Sequence, residues 1–405
     1  MPAALPTAIA ESKDESSLSA AAALAPASGQ IYWPGWLLAL ATTSIVVGII
    51  WDISWHITIG RDTFWTPAHL AIHFGGILGG CVGGWLAFQH TFLAGVRERA
   101  ASVSILGVRA PLGAWVAMWG AVAMITSAPF DNWWHNAYGL DVKIISPPHT
   151  LLGLGMLGIN LGALLLGLSH QNRAHDALGD WLFAYIGGIF LTLGSVFVME
   201  YSTPNLQHAA AFYEICALTF TIRLVTLGVA GRISWPATRA AAVYFILQGL
   251  MTWILPLFPA QPKLAPIFNP VTHMVPPAFP LLLVFPAAAI DALLRLAGAP
   301  QRGLRCVALA GALGAAFVAV FVVVQWFFSE FLLTPHADNW FFAGNRYWGY
   351  ESALNEWAHK FWRVTAGTPS FDPFRGWAVA LTWALASGGA WLGLLWGGWM
   401  KKVRR

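Results

Sequence analysis

The chain has 405 residues, of which 57% are hydrophobic and only 10% are charged. This composition excludes an ordinary water-soluble globular domain and is typical of an integral membrane protein embedded in a lipid bilayer. The formal net charge of +4 does not indicate nucleic-acid binding, because the basic residues are scattered over short segments between apolar runs.

Apolar runs long enough to cross a bilayer recur along the chain. A transmembrane helix needs about 20 mostly apolar residues. Residues 1–32 lack such a run and are rich in Ala, Ser and Pro, so we expect a disordered tail there. After this tail, ten segments meet the criterion: 34–55, 66–90, 111–131, 147–169, 180–200, 207–230, 238–258, 272–297, 304–333 and 375–400.

The predicted fold class is therefore all-α, a polytopic transmembrane helix bundle of about ten spans. The eighth segment is unusual, because it contains Pro276, Pro277 and Pro280. Proline removes a backbone hydrogen bond from a helix. These residues would therefore either kink the eighth helix or open a gap in its backbone, which the surrounding bundle would have to satisfy.

The distribution of basic residues predicts the orientation of the bundle. The two termini and the loops on their side carry about twice as many Lys and Arg residues as the opposite loops. By the positive-inside rule, both termini lie in the cytoplasm. In a bacterium this would be the inner membrane, with the opposite loops facing the periplasm.

This topology divides the chain into five regions. They are the cytoplasmic tail (1–32), a four-helix metal-binding region (33–170), additional transmembrane helices (171–334), an aromatic extracytoplasmic loop (335–374), and the last helix with a basic cytoplasmic tail (375–405). Within the loop, residues 349–363 could form an amphipathic interfacial helix, or the loop could cap a site at the outer face.

A first cluster of metal-type side chains lies where the first span ends and the second begins. Asp52 and His56 are four residues apart and share a helix face. His69 follows a short turn and can fold back toward them. One carboxylate and two imidazoles suit copper or zinc, and three protein ligands leave a position for water, oxygen or substrate.

The same construction recurs at the end of the third predicted span. Asp131 and His135 are again four residues apart, and His149 begins the fourth span. A single Asp/His pair of this kind can be an ordinary hydrogen-bonded pair at a water interface. The repetition, with a third histidine each time, favours two metal sites, since ionisable groups at membrane depth are costly and are candidates for function.

Residues 51–69, WDISWHITIGRDTFWTPAH, resemble the copper motif of the C subunit of particulate methane and ammonia monooxygenases. That motif has D-x3-H, then R-D-T, a Phe and T-P-x-H, with the same spacing between the three ligands. The resemblance implies that Asp52, His56 and His69 hold copper. It also implies that Arg61 and Asp62 orient these ligands from the surroundings.

The second cluster resembles the neighbouring copper site of the same family, which follows N-x3-H-x13-H. Here Asp131 stands in place of the family's Asn, which makes the site more negative, and His135 and His149 match the two histidines. The resemblance covers about residues 34–170, a third of the chain. The family works with two further subunits, and nothing in this chain resembles the cupredoxin-like portion of one of them.

These observations lead to an expected function: a copper-dependent, monooxygenase-like membrane oxidoreductase that activates O2. It would oxidise a small apolar substrate near the outer membrane face, with one or two copper ions. An external electron donor would be required, and the resemblance suggests a homo- or hetero-oligomer. Two alternatives stay open, a non-enzymatic transporter or metal-handling protein and a zinc-dependent membrane hydrolase.

Overall fold

A computed structural model describes residues 32–60, 63–139, 146–173, 177–263, 267–298, 303–354, 358–362 and 372–404, apart from the side chain of Arg97. Helices dominate these residues. In chain order they are α1 (Trp33–Thr58), α2 (Pro67–Phe88), α3 (Val96–Ala100), α4 (Leu112–Tyr138), α5 (Pro147–Gln171), α6 (Ala177–Phe197), α7 (Ala210–Ala230), α8 (Pro236–Ile254), α9 (Val284–Ala297), α10 (Leu304–Leu332) and α11 (Trp377–Met400).

Short elements join some of these helices. Strands β1 (Val103–Ile105) and β2 (Val108–Ala110) form an antiparallel hairpin between α3 and α4. A π-helical turn extends α2 over Gln89–Leu93, and 3-10 turns cover Met199–Tyr201, Pro204–Leu206, Leu255–Leu257 and Pro335–Ala337. The hairpin is the small exception to the all-α prediction, and it lies outside the long helices.

The long helices confirm a polytopic helical membrane protein. Within the described residues, nine helices are long and apolar enough to cross a membrane. They correspond to the predicted segments other than the eighth. Helices α1, α2, α4 and α5 pack successively against one another, and α6 contacts both α1 and α5. Helix α6 also packs on α8, while α7 and α10 pack on α11.

The eighth predicted segment is not a continuous helix. Residues 274–283 are mostly buried and follow a non-helical path before the 14-residue helix α9 begins. We call residues 274–283 the unwound segment. The prolines were expected either to kink the eighth helix or to open a gap in its backbone, and the structure shows the gap. Residues of other helices then have to satisfy the exposed backbone groups.

Hydroxyl groups of α1 bind the start of the unwound segment. The Ser54 hydroxyl donates to the carbonyl oxygen of Val275 at 2.5 Å. The Val275 amide donates to the Thr58 hydroxyl at 2.8 Å. Both backbone groups of one residue are therefore paired with two side chains one helical turn apart, in the way a neighbouring strand would pair them.

Side chains of α8 and α10 bind the other end of the unwound segment. The Leu281 amide donates to the Tyr244 hydroxyl at 3.0 Å, and the Leu282 amide donates to the Gln325 side-chain oxygen at 2.9 Å. The Gln325 amide nitrogen donates in turn to Gln207 at 2.7 Å. Three helices thus hold the segment in place.

Glycine allows the helices of the first half to approach closely. A Cβ added at Gly120 of α4 would lie 2.6 Å from the backbone nitrogen of Ile159 and 2.7 Å from the carbonyl oxygen of Gly155, both on α5. A Cβ at Gly75 of α2 would lie 2.5 Å from the carbonyl oxygen of Ala41 on α1. Contacts this close between backbones are typical of small-residue packing in membranes.

We predict that Gly120→Ala destabilises the bundle, because the added methyl group meets rigid backbone and the two helices must separate. The expected loss is about 2 kcal/mol, seen as a lower Tm of the purified protein in detergent. Gly84→Ala is the matched control, since no atom lies within 4 Å of a Cβ at that position on α2. An equal Tm for both variants would contradict this account of the packing.

Candidate metal centre

One layer of contacts sets the relative depth of α1, α2, α4 and α5. A Cβ added at Gly75 would lie 2.6 Å from Ile45 of α1, and one added at Gly76 would lie 3.2 Å from Met124 of α4. A Cβ added at Gly155 of α5 would lie 2.6 Å from the same Met124 side chain. Ile45, Gly76, Met124 and Gly155 therefore lie at about the same height in the four helices.

Both clusters lie on one side of this layer, at the end of the bundle that holds Asp52 and Asp131, which we call the histidine end. Asp52, His69 and Asp131 are each seven residues from the layer along their helices, and His149 is six residues from it. At 1.5 Å per residue, each separation is about 10 Å. The two clusters therefore lie at about the same depth.

The structure brings the three residues of the first cluster together. Nε2 of His69 lies 3.1 Å from Oδ1 of Asp52, and Nε2 of His56 lies 3.9 Å from Oδ2 of the same carboxylate. One ligand atom of each residue lies within 4.8 Å of the other two. The Asp52 side chain is 14% exposed and that of His56 is 51% exposed, so the cluster has a shielded and an open side.

The second cluster has the same arrangement with a wider spacing. Nε2 of His135 and Nε2 of His149 lie 3.4 Å and 3.6 Å from Oδ1 of Asp131. Among the described residues, the first cluster alone places three such atoms all within 4.8 Å of one another. Both imidazoles of the second cluster therefore approach one carboxylate oxygen but lie further from each other.

Backbone carbonyl groups orient one histidine in each cluster. Nδ1 of His69 lies 2.9 Å from the carbonyl oxygen of Thr63, and Nδ1 of His135 lies 3.1 Å from that of Gly139. A carbonyl oxygen only accepts hydrogen bonds, so Nδ1 must carry the proton in both rings. In a neutral imidazole the other nitrogen, Nε2, then carries no proton and presents a lone pair.

These nitrogens face carboxylate oxygens that are buried. Oδ1 of Asp52 and Oδ1 of Asp131 are buried and accept no well-aligned hydrogen bond within the part of the chain that the structure describes. Two acceptors 3.1 to 3.4 Å apart repel each other unless a positive charge lies between them. Either a second proton on the imidazole or a metal ion would supply that charge.

The distances also fit a shared metal ion. Ligand atoms that bind one tetrahedral ion at about 2.1 Å lie about 3.4 Å from one another. The imidazole-to-carboxylate distances of 3.1 to 3.9 Å fall around this value in both clusters. Among the described residues, only the first cluster also brings all three ligand atoms within 4.8 Å of one another, so the imidazoles of the second cluster would have to move closer to share an ion. An ion-binding histidine also typically donates its other ring nitrogen to a carbonyl group, as His69 and His135 do. The donor set fits copper and zinc.

The surroundings of the first cluster are described in part. Arg61 and Asp62, which the resemblance places around the ligands, lie outside the described residues. His73 is one turn from His69 on α2, with ring centroids 6.4 Å apart, and its imidazole stacks on Phe64 at 4.9 Å. His73 is not part of the group of converging ligand atoms found among the described residues.

Several aromatic residues lie next to the second cluster along α4. Phe130, Trp133, Trp134 and Tyr138 make successive ring contacts with centroids 4.5 to 6.5 Å apart, on the same turns of α4 as Asp131. Trp133 is 54% exposed and Tyr138 is 67% exposed. The carboxylate therefore lies beside an apolar surface that faces out of the bundle.

Three other segments hold the end of α1 that carries Asp52 and His56. Ser54 and Thr58 bind the unwound segment, as described above. The Lys263 amide donates to the carbonyl oxygen of Ile59 at 3.0 Å, and the Tyr350 amide donates to that of Ile57 at 3.4 Å. Sequence spacing did not identify these contacts, because their partners are between 200 and 300 residues distant along the chain.

The aromatic loop therefore contacts the helix end that bears the first cluster. A Cβ added at Gly349 would meet the Ile57 side chain and would lie 2.5 Å from its carbonyl oxygen. Residues 350–352 form a turn and a bend, and residue 354 is helical. The later part of the predicted interfacial helix includes residues 355–357 and 363, which lie outside the described residues. The contacts of Gly349 and Tyr350 with Ile57 place part of the aromatic loop against the end of α1. A loop that caps this end would make such contacts.

A further histidine lies in an aromatic sandwich before α7. The His208 ring stacks between Trp326 and Phe361, with centroids 3.5 and 3.6 Å apart. Its Nε2 lies 3.9 Å from Glu330, which also accepts a hydrogen bond from the Trp326 indole at 3.1 Å. Burial lowers the pKa of His208 more than the nearby Glu330 carboxylate raises it, so the ring is held neutral near pH 7.

The comparisons with known proteins add no relative to this description. No family model, no curated protein and no solved structure matches the chain.

We predict that Thr58→Val destabilises the protein, because the Val275 amide loses its acceptor in a buried position. The expected loss in the free energy of unfolding is about 1–3 kcal/mol, measured by thermal unfolding in detergent. Thr252→Val is the matched control, since the hydroxyl of this fully buried residue donates only to the Gln248 carbonyl of its own helix. Equal stability of the two variants would show that the unwound segment does not depend on α1.

Proposed function

We propose that the chain is a copper-dependent membrane oxidoreductase, monooxygenase-like in its chemistry, with sites at Asp52, His56, His69 and at Asp131, His135, His149. The observation that carries this proposal is the geometry found twice: two imidazoles approach one carboxylate, whose Oδ1 is buried and accepts no hydrogen bond from the described residues. A second, independent support is the resemblance of residues 51–69 to the copper motif of the C subunit of particulate methane and ammonia monooxygenases.

Copper bound at such a site supplies redox chemistry with O2. The residues of the chain prepare the site for it. The carbonyl groups of Thr63 and Gly139 lie against Nδ1 of His69 and His135, so that Nε2 is the ring nitrogen that would bind an ion. Asp52 and Asp131 would lower the net charge of a bound ion, and aromatic rings lie on the same turns of α4 as Asp131.

The substrate in this proposal is a small apolar molecule that enters from the bilayer. Large apolar side chains lie exposed in the turn between α1 and α2, next to the first cluster in the chain; Trp65 is 72% exposed and Phe64 is 52% exposed. Apolar molecules concentrate in the same lipid that these side chains contact. Electrons would come from an external donor, and partner subunits or further copies of the chain could deliver them.

The location that best fits these requirements is the inner membrane of a bacterium. The distribution of Lys and Arg residues supports cytoplasmic termini, which would place the histidine end at the periplasm. In that orientation the two sites take up metal from the periplasm.

A metal-handling or transport function is the second candidate. The unwound segment supports it, because broken helices form substrate and ion sites in many transporters, and this one binds the helix that carries Asp52 and His56. A zinc-dependent hydrolase would use the same ligands, with a metal-bound water as nucleophile.

We predict that the protein purified from copper-supplemented cells contains one or two copper ions per chain, measured by elemental analysis. His56→Ala and His135→Ala each remove a ligand and are expected to lower the copper content by up to one ion. His90→Ala is the control, because His90 lies at the opposite end of α2 and binds the Leu86 carbonyl. A folded wild-type protein without bound metal would rule the proposal out.

The identity of the bound metal distinguishes a copper oxidoreductase from a zinc hydrolase. Cu(II) gives an electron paramagnetic resonance spectrum, and imidazole ligands add nitrogen hyperfine structure to it. We expect that spectrum from the wild-type protein and its partial loss in His135→Ala. A stoichiometric, spectroscopically silent zinc content would favour the hydrolase instead.

Activity decides between an oxidoreductase and a metal-handling protein. With a quinol as reductant, a small alkene and 18O2, we expect an epoxide that contains the labelled oxygen. The double variant His56→Ala, His135→Ala should lose at least 100-fold of this rate, while His90→Ala should keep it. Copper accumulation in proteoliposomes without any labelled product would establish the second candidate.

A further inference from the structure

A small cavity lies inside the bundle beside the unwound segment. It has a volume of about 20 Å³, which is enough for one water molecule or one dehydrated ion. Its walls come from the end of α6, the following turn, helix α8 and residues 277–281. The polar side chains that line it are those of Ser195, Ser202, Tyr244 and Gln248.

The cavity is rich in oxygen atoms that can accept or coordinate. The carbonyl oxygens of residues 277–280 accept no hydrogen bond from the described residues, because the helix that would have paired them is interrupted. The hydroxyls of Ser195 and Ser202 donate to the carbonyl groups of Thr192 and Met199. A hydroxyl that donates its hydrogen keeps oxygen lone pairs with which it can still accept or coordinate, and both serines line the cavity.

The side chain of Gln248 is the second observation that points to a ligand. This residue is only 5% exposed and lines the cavity. Its Oε1 is buried without a hydrogen-bond donor in the described part of the chain. A buried amide oxygen without a donor costs about 1–3 kcal/mol, so a positive charge or a donor near it would be stabilising.

The charge of the lining residues selects the class of ligand. Every one of the ten lining residues is neutral, so no carboxylate is present to balance a divalent ion. Neutral oxygen ligands bind hard monovalent cations, as unwound backbone carbonyls do in broken transporter helices. Copper and zinc prefer the nitrogen and sulfur ligands that this cavity lacks.

We propose that this cavity binds one dehydrated monovalent cation, Na⁺ or K⁺, coordinated by the Gln248 side chain, neighbouring hydroxyls and carbonyl oxygens of residues 277–280. The site does not depend on the copper function proposed above. Its cation would hold together α6, α8 and the unwound segment. Through Ser54 and Thr58, the same segment is bound to α1.

The test uses the purified full-length protein in detergent, with NaCl, KCl or choline chloride at equal ionic strength. We expect Na⁺ or K⁺ to raise Tm saturably relative to choline, by about 2 °C at ten times Kd. Scintillation binding of 22Na⁺ or 86Rb⁺ should give one site per chain, and competition between the two ions identifies the preferred one.

Gln248→Leu replaces the amide with an apolar side chain of similar volume, so it should weaken ion binding at least 10-fold. Ser202→Ala, in a turn outside the long helices, is the second variant and should weaken it less. Asn160→Leu is the matched control, because the Asn160 amide on α5 is also buried without a hydrogen-bond partner among the described residues but does not line the cavity. Identical Tm values in all three salts, with no bound 22Na⁺ or 86Rb⁺, would show that the cavity holds water only and overturn the proposal.

Discussion

Polar groups in the interior of a membrane protein find their partners within the chain, because lipid offers none. This requirement is most demanding at residues 274–283, where three prolines interrupt a helix. The hydroxyls of Ser54 and Thr58 and the side chain of Gln325 supply the missing partners. The arrangement of α1, α8 and α10 around the unwound segment therefore follows from one short stretch of backbone that cannot satisfy itself.

The same requirement shapes the two histidine clusters. His69 and His135 satisfy a backbone carbonyl with Nδ1, and as a consequence they direct Nε2 at a carboxylate that cannot donate. In both clusters a carboxylate oxygen therefore faces an imidazole nitrogen across 3.1 to 3.4 Å, and a positive charge between the two atoms would stabilise the pair. The same local pattern recurs at two corresponding hairpins, but among the described residues only the first brings three ligand atoms within 4.8 Å of one another.

Much of the fold could be predicted from hydropathy, because nine apolar runs are each long enough to form a complete helix with its own hydrogen bonds. The eighth run could not be assigned in this way. Its conformation depends on partners such as Ser54 and Gln325, which are distant in sequence. The convergence of Asp52 and His56 followed from helical spacing, whereas the orientation of His69 depends on the turn at Thr63, whose conformation spacing does not specify.

The equal depth of the two clusters has an electrical consequence. Contacts among Ile45, Gly76, Met124 and Gly155 place both clusters about 10 Å from one common layer. A charge that moves between them travels parallel to the membrane plane and crosses almost none of the transmembrane potential, which amounts to about 2.3 kcal/mol per charge per 100 mV across the whole bilayer. Exchange of an electron or a proton between the two positions would therefore proceed at the same rate in an energised and a de-energised membrane.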